Sequence, residues 1–198
     1  MEEKILHKAT DLFLTYGVKS VTMDDIAKEL AMSKKTIYTF YSTKTKLVEA
    51  STSYLFHKIN SEIQTICSLE QNPIKELFMV KTLILEHLKN EESSPQYQLQ
   101  KYYPDLYDSI RQKQFDSIDE CISKNLKKGI EAGFYRKNLD INLITRFYFI
   151  GIIGIKNIDL FPKNEYGMPY LMKNYLEYHI RAIATEKGIK SLQNIINK

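Results

Sequence analysis

A chain of 198 residues with 43% hydrophobic and 26% charged side chains has the balance of an ordinary globular protein and enough length to bury a core. Its net charge of +4 is only mildly basic, so bulk charge alone does not single out a nucleic-acid partner. Two cysteines without CxxC spacing and four dispersed histidines give a metal site or other resident cofactor no support, and the longest apolar run, FYFIGIIGI at 147–155, falls far short of the ~20 residues of a membrane span.

Glu2 and Glu3 open an amphipathic pattern, not a secretory leader. A cytoplasmic chain without a membrane partner is therefore expected, with Cys67 and Cys121 as buried free thiols. Strand signals are almost absent, and turn signals recur at helix-length intervals around a 3.6-residue period, so the fold class is all-α. The spacing predicts a first helix over 2–16, with Ile5, Ala9, Leu12, Phe13 and Tyr16 on one face and Gly17 as its stop. Thr22 and Asp25 have capping-box spacing at the start of a short helix whose Ile26, Ala27 and Leu30 face inward. Ser33 caps a third helix over 34–40, and Thr43 a fourth running to 68.

Longer helices follow. Pro73 fits the first turn of a helix to 89, NEESSPQ at 90–96 is a polar loop, and a short helix is expected over 95–102. Pro104 opens a long helix ending near Gly129–Gly133, and YRKNLD at 135–140 is a connector. Helices over 141–158 and 169–187, joined by LFPKNEYGMP, close the fold, and 189–198 is an amphipathic tail. This makes about nine helices in two parts: 1–47, a three-helix unit, and 48–198, a larger helical domain.

Two short helices separated by about three residues have helix-turn-helix spacing, in which the second helix enters the major groove of DNA. Between 33 and 47, SKKTIYTFYSTKTKL carries four lysines and no acid, whereas residues 1–50 as a whole are nearly neutral. Ile37 and Phe40 are expected inward, leaving Lys34, Lys35, Tyr38 and Thr39 outward or at the edge. Lysines at a helix N-terminus meet free N–H groups and the positive end of the dipole, which suits phosphate and base edges. Lys44, just after the Thr43 cap, is placed for a second phosphate. Lysines alone fit a solvated face better; a three-helix unit, three successive Ser/Thr caps and lysines confined to one face together favour a DNA footprint. Arginine is absent from this segment, the first being Arg111, so arginine-to-guanine readout is unavailable there; readout leaning on A·T-rich sequence and groove shape is one reading, and a chain-wide preference for lysine (24 Lys, 4 Arg) is the simpler one.

Residues 5–50, ILHKATDLFLTYGVKSVTMDDIAKELAMSKKTIYTFYSTKTKLVEA, resemble the DNA-binding domain of the TetR family of bacterial transcriptional regulators. The resemblance places Ser33, Lys34, Lys35 and Thr36 at the start of the recognition helix. It places Tyr38, Thr39 and Lys44 where relatives contact the DNA backbone, and Thr22 at a further backbone contact. There are departures: Ala31 stands at a turn usually held by Gly, Lys35 replaces a Gly inside the recognition helix, and Phe40-Tyr41 replaces a His-Phe pair.

The resemblance implies that the helical remainder binds an effector and dimerises. Ile144, Tyr148, Gly151, Ile152 and Ile155 on one helix, and Leu171, Tyr175, Tyr178 and Ala182 on the next, are the candidates for a four-helix homodimer interface. They could instead bury within their own subunit. Phe56, Phe78, His87, Tyr102, Tyr103, Tyr107 and Phe115 could line a pocket for a small apolar or amphipathic effector, although at helical spacing core packing is the commoner fate of any one aromatic among them. The implied function is that of a repressor released from a palindromic double-stranded DNA operator by its effector. A DNA-binding structural or division-associated protein without an effector is the alternative. No nucleophile motif, phosphate loop or metal cluster suggests an enzyme.

Overall fold

Gly17, Thr22, Ser33, Thr43, Pro73 and Pro104 each end or begin a helix in the computed structural model, which describes residues 1–69, 71–87 and 95–197. Ten helices occur among the described residues: α1 (Glu2–Tyr16), α2 (Met23–Glu29), α3 (Lys34–Phe40), α4 (Lys44–Ser68), α5 (Pro73–His87), α6 (Pro95–Tyr102), α7 (Pro104–Glu131), α8 (Ile141–Gly154), α9 (Met168–Ile183) and α10 (Glu186–Ile196). The expected polar loop at 90–96 lies mostly outside the described residues. The tail is the tenth helix, held by Thr185, whose hydroxyl oxygen accepts from Gly188 N at 3.3 Å.

The helix expected to run to 187 stops at Ile183. The connector after α7 captures the chain there: Arg136 N donates to Ile183 O at 3.0 Å and Thr185 N to Phe134 O at 2.9 Å. Ala184 and Tyr135 form an isolated antiparallel bridge. Such pairing between residues some fifty positions apart leaves no local sequence signal.

The chain divides into two compact units, residues 1–60 with 87–112, and residues 61–86 with 113–198. The first is built on Ile5, Ala9, Phe13, Ile26, Ile37 and Leu47, with Leu99, Tyr103 and Leu106 packed against them. Gly17 holds φ +86°, its N–H donating to Phe13 O at 2.9 Å. The amide of Gln98 occupies the space that a Cβ at Gly17 would need, and Lys19 N donates to Gln98 Oε1 at 2.9 Å. Glycine is thus required both for conformation and for the approach of α6.

The second unit has its own core, including Leu77, Leu126, Tyr148, Ile152, Leu176 and Ile180. Within it, Tyr135 is fully buried and donates to Asn125 Oδ1 at 3.0 Å. Asn125 Nδ2 donates to Glu76 Oε1 at 2.7 Å and to Pro73 O at 2.9 Å. The Lys128 ammonium donates to Glu76 Oε2 at 3.2 Å. The buried carboxylate therefore has partners on both oxygens, the condition under which such a group is tolerated. Tyr135 and Tyr148 have hydroxyls whose ionisation is pushed well above the ordinary range by burial.

Three local expectations are corrected. Tyr16 is exposed although it shares the angular position of Ile5, Ala9 and Phe13, because it is the last residue of α1. Phe40 is also exposed, and Tyr41 is the residue that points inward. Helix α3 ends at Phe40, and the extended backbone of Tyr41 turns its ring onto the core. Cys67 and Cys121, expected as free thiols, are disulfide-bonded, with Cα atoms 6.7 Å apart on α4 and α7.

Candidate nucleic-acid interface

Local capping builds the α2–α3 unit. Thr22 accepts from Asp25 N at 3.2 Å while Thr22 N donates to Asp25 Oδ2 at 2.8 Å, a reciprocal box that satisfies two end groups of α2. The Asp25 carboxyl is lowered by its bonds to Thr22, side chain first and then backbone. Ser33 Oγ accepts from Thr36 N at 3.0 Å at the start of α3. Thr43 Oγ1 accepts from Lys46 N at 3.1 Å at the start of α4. Ile26, Ala27, Leu30 and Ile37 turn inward, which leaves the opposite side of α3 open.

The turn between α2 and α3 is left-handed at Ala31, with φ +50°. Ala31 N donates to Lys28 O at 3.1 Å and Met32 N to Ala27 O at 3.0 Å, so the backbone closes the end of α2 in the way a glycine normally would. Ala31 adopts this left-handed conformation against its own preference.

On the open face, Ser33, Lys34, Lys35, Tyr38 and Thr39 are exposed, Thr36 is half-buried, and Phe40 joins them at 40% exposure. Thr36 Oγ1 lies 2.8 Å from Ser33 Oγ, and Thr39 Oγ1 donates to Thr36 O at 2.6 Å. Thr22 is exposed at the head of α2, its hydroxyl donating to Asp25 Oδ2 at 2.7 Å. Lys34 Nζ lies 2.8 Å from Asp24 Oδ2, and this bond raises the lysine's pKa. Lys44 is half-buried and donates from Nζ to Lys19 O at 3.3 Å. Desolvation, then the Lys19 charge, lowers its pKa. The sequence reading missed Lys19 and Asp24 as neighbours of this face, because both lie on other elements with no fixed spacing to it.

The other candidates are divided between the two units. Phe56, His87, Tyr102, Tyr103 and Tyr107 belong to the first unit, Phe78 and Phe115 to the second. Tyr103 packs on the first core, and the Lys19 ammonium sits 4.9 Å from the Tyr102 ring centroid. Phe78 packs on the second core, while Phe115 meets Phe149 edge-on at 5.1 Å beneath the Arg146 guanidinium. Of the residues considered for dimerisation, Tyr148, Ile152, Ile155 and Leu171 are buried in their own subunit, and Ile144 and Tyr175 pack partly against that core. Gly151 lets the Tyr175 ring lie on α8, where the Tyr175 hydroxyl donates to Tyr148 O at 2.9 Å. Tyr178 and Ala182 are exposed. The apolar side chains that α8 leaves exposed are Leu143, Phe147 and Ile150.

Residues 5–51 match the family model described as "Bacterial regulatory proteins, tetR family". The chain is 22% identical over 152 residues to the HTH-type transcriptional repressor KstR2 of Mycobacterium tuberculosis, covering 73% of this chain and 74% of that protein. It is 29% identical over 150 residues to the HTH-type transcriptional regulator YdeS of Bacillus subtilis, covering 70% and 69%. In fold it is similar to a TetR-family transcriptional regulator from Cytophaga hutchinsonii, with a TM-score of 0.71 and 19% identity over 94% of this chain and 96% of that one.

Proposed function

Since the chain belongs to the TetR family of bacterial transcriptional regulators, with that family's domain at residues 5–51, we propose that it is a ligand-responsive repressor that binds a palindromic DNA operator as a homodimer. The observation that carries this reading is the capped α2–α3 pair. Ile37 anchors α3 from behind, and Lys34, Lys35, Tyr38 and Thr39 are exposed on its other side. Residues 1–47 are the reading part: Lys35 at the first turn of α3 approaches base edges or phosphate, and Tyr38, Thr39, Lys44 and Thr22 hold the sugar-phosphate backbone. Ser33 and Thr36 fix the helix start. The sign of regulation, repression, is supported by the likeness to the repressor KstR2.

Residues 48–198 carry the effector and dimer functions. The exposed apolar stripe Leu143, Phe147 and Ile150 on α8, with Tyr170, Tyr178 and Ala182 on α9, supports pairing of two copies. Two-fold pairing sets two recognition helices about 34–36 Å apart, one turn of DNA. An effector that binds one arrangement of the helical domain better than the other shifts operator affinity by that difference alone.

The test is to map the protein on its genome and titrate it against duplex DNA from upstream of its own gene. A small set of palindromic sites, bound by the parent and weakened in Lys35→Ala and Tyr38→Ala with helix content unchanged, supports the reading. Parent-like binding by both variants rules out this footprint, and many dispersed sites without a palindrome point to a structural role instead.

A further inference from the structure

We propose that Cys67 and Cys121 form a reversible modification site, a dithiol that peroxides oxidise to an intramolecular disulfide, and that the state of this bond sets DNA affinity. The inference rests on the DNA-binding reading above. These are the only two cysteines in the chain, 54 positions apart, and the fold brings them together from α4 and α7. A protein that works on DNA is surrounded by thiol reductants, where a disulfide is transient and regulatory more often than architectural.

The surroundings suit a two-step oxidation. Cys67 is half-buried and Cys121 is buried, so Cys67 is the sulfur that meets a small oxidant. Its thiolate attacks one peroxide oxygen: an S–O bond forms, the O–O bond breaks, and the departing oxygen leaves as water after taking a proton. The sulfur is oxidised by two electrons to a sulfenic acid. Cys121 then attacks that sulfur: the S–S bond forms, the S–O bond breaks, and hydroxide leaves as water with the Cys121 proton. A dithiol reductant returns two electrons and two protons. Both sulfurs and a Glu76 carboxylate oxygen lie within 4.8 Å of one another. That carboxylate is held by Asn125 and Lys128, and the Lys128 ammonium also donates to Leu69 O at 3.4 Å, just past Cys67. The pair thus lies beside a polar, hydrogen-bonded group, not in sealed apolar core.

The consequence follows from α4 itself. It begins at Lys44, directly after the cap that ends the DNA-reading segment, and carries Cys67 in its last turn. The bond fastens that last turn to α7; reduction releases it. Oxidation therefore restricts the one helix that is continuous with the reading segment.

The full-length protein is reduced, then treated with hydrogen peroxide, and its mass, thiol content and binding to duplex DNA from upstream of its own gene are measured. Expected are a loss of about 2 Da in a species with no cross-link to another chain, both thiols returning with a dithiol reductant, and a DNA dissociation constant that differs at least about fivefold between the forms. Cys67→Ser and Cys121→Ser keep the parent's helix content and lose the peroxide effect. Equal affinity of the two forms, a cross-link between chains, or oxidation that the reductant does not reverse overturns the inference. If the reduced protein binds DNA and only the redox effect is missing, this inference alone fails; if no form binds, the DNA-binding reading fails with it.

Discussion

The Asp24 carboxylate holds the Lys34 ammonium at 2.8 Å, so one of the two lysines that open α3 faces an acid from α2. Both side chains are substantially exposed, so the pair contributes little to stability. Its expected effect is on the proposed DNA binding, where a phosphate would have to displace the carboxylate or share the lysine with it. Asp24→Asn is expected to tighten binding to non-specific duplex DNA and to steepen the dependence of log K on log salt by about one counterion. Lys34→Ala is expected to do the reverse. Anisotropy titrations between about 50 and 200 mM salt measure both slopes; identical slopes for parent and variants would show that Lys34 makes no phosphate contact.

Features set by a few neighbouring residues were legible in the sequence. Thr22, Ser33 and Thr43 read as caps, and each accepts the backbone N–H expected of it. The inward set Ile26, Ala27, Leu30 and Ile37 follows from helical period alone. Helix ends were less legible: Tyr16 and Phe40 obey the period yet are exposed, because the last residue of a helix can keep its angular position and still lack neighbours to cover it. Long-range relationships were not legible at all. Cys67 and Cys121, Asp24 and Lys34, and the pairing of 134–136 with 183–185 depend on packing that spacing does not encode. On α8, apolar residues occupy more than one face, so period could not separate Tyr148, in the core, from Ile150, on the surface.

The left-handed turn at Ala31 makes a stability prediction. An L-residue with a Cβ is held at φ +50°, where only glycine is at ease. The residue is exposed, so substitution removes no packing. Ala31→Gly is expected to stabilise the protein by roughly 0.5–1 kcal/mol after allowing for glycine's greater freedom when unfolded. Thermal unfolding should rise by about 2–3 °C for a chain of this size. A fall in Tm would mean that the strain is relieved elsewhere.

The α8 face gives a prediction about assembly. Leu143, Phe147 and Ile150 lie on one stripe, with Ile150 65% exposed, and Gly154 beyond them has open space where a Cβ would stand. A charge placed on a face that pairs with a second copy must be desolvated without a partner, at a cost of several kcal/mol. Ile150→Glu is therefore expected to convert a dimer into a monomer at micromolar concentration, as read by sedimentation equilibrium, with helix content retained. It should also weaken DNA binding, since each half-site then acts alone. A dimer that survives both Ile150→Glu and Phe147→Glu uses another face.

His179 gives the pH dependence. Its imidazole is buried, edge-on to the Tyr148 ring at 5.1 Å and tilted over the Tyr175 ring at 6.1 Å. Burial lowers its pKa from 6.5 to about 4. A histidine whose pKa falls on folding takes up its proton more readily in the unfolded chain. Its contribution is therefore flat above pH 6.5, and stability is lost as pH falls from there toward 4. The full difference amounts to roughly 3 kcal/mol. Carboxylates titrate over part of the same range, so the useful quantity is the difference between parent and His179→Gln. Urea unfolding from pH 7 down to 4 should show the parent losing stability faster than the variant, beginning near pH 6.5. Parallel curves would mean that His179 stays accessible to a proton in the folded protein, through a local opening between α8 and α9.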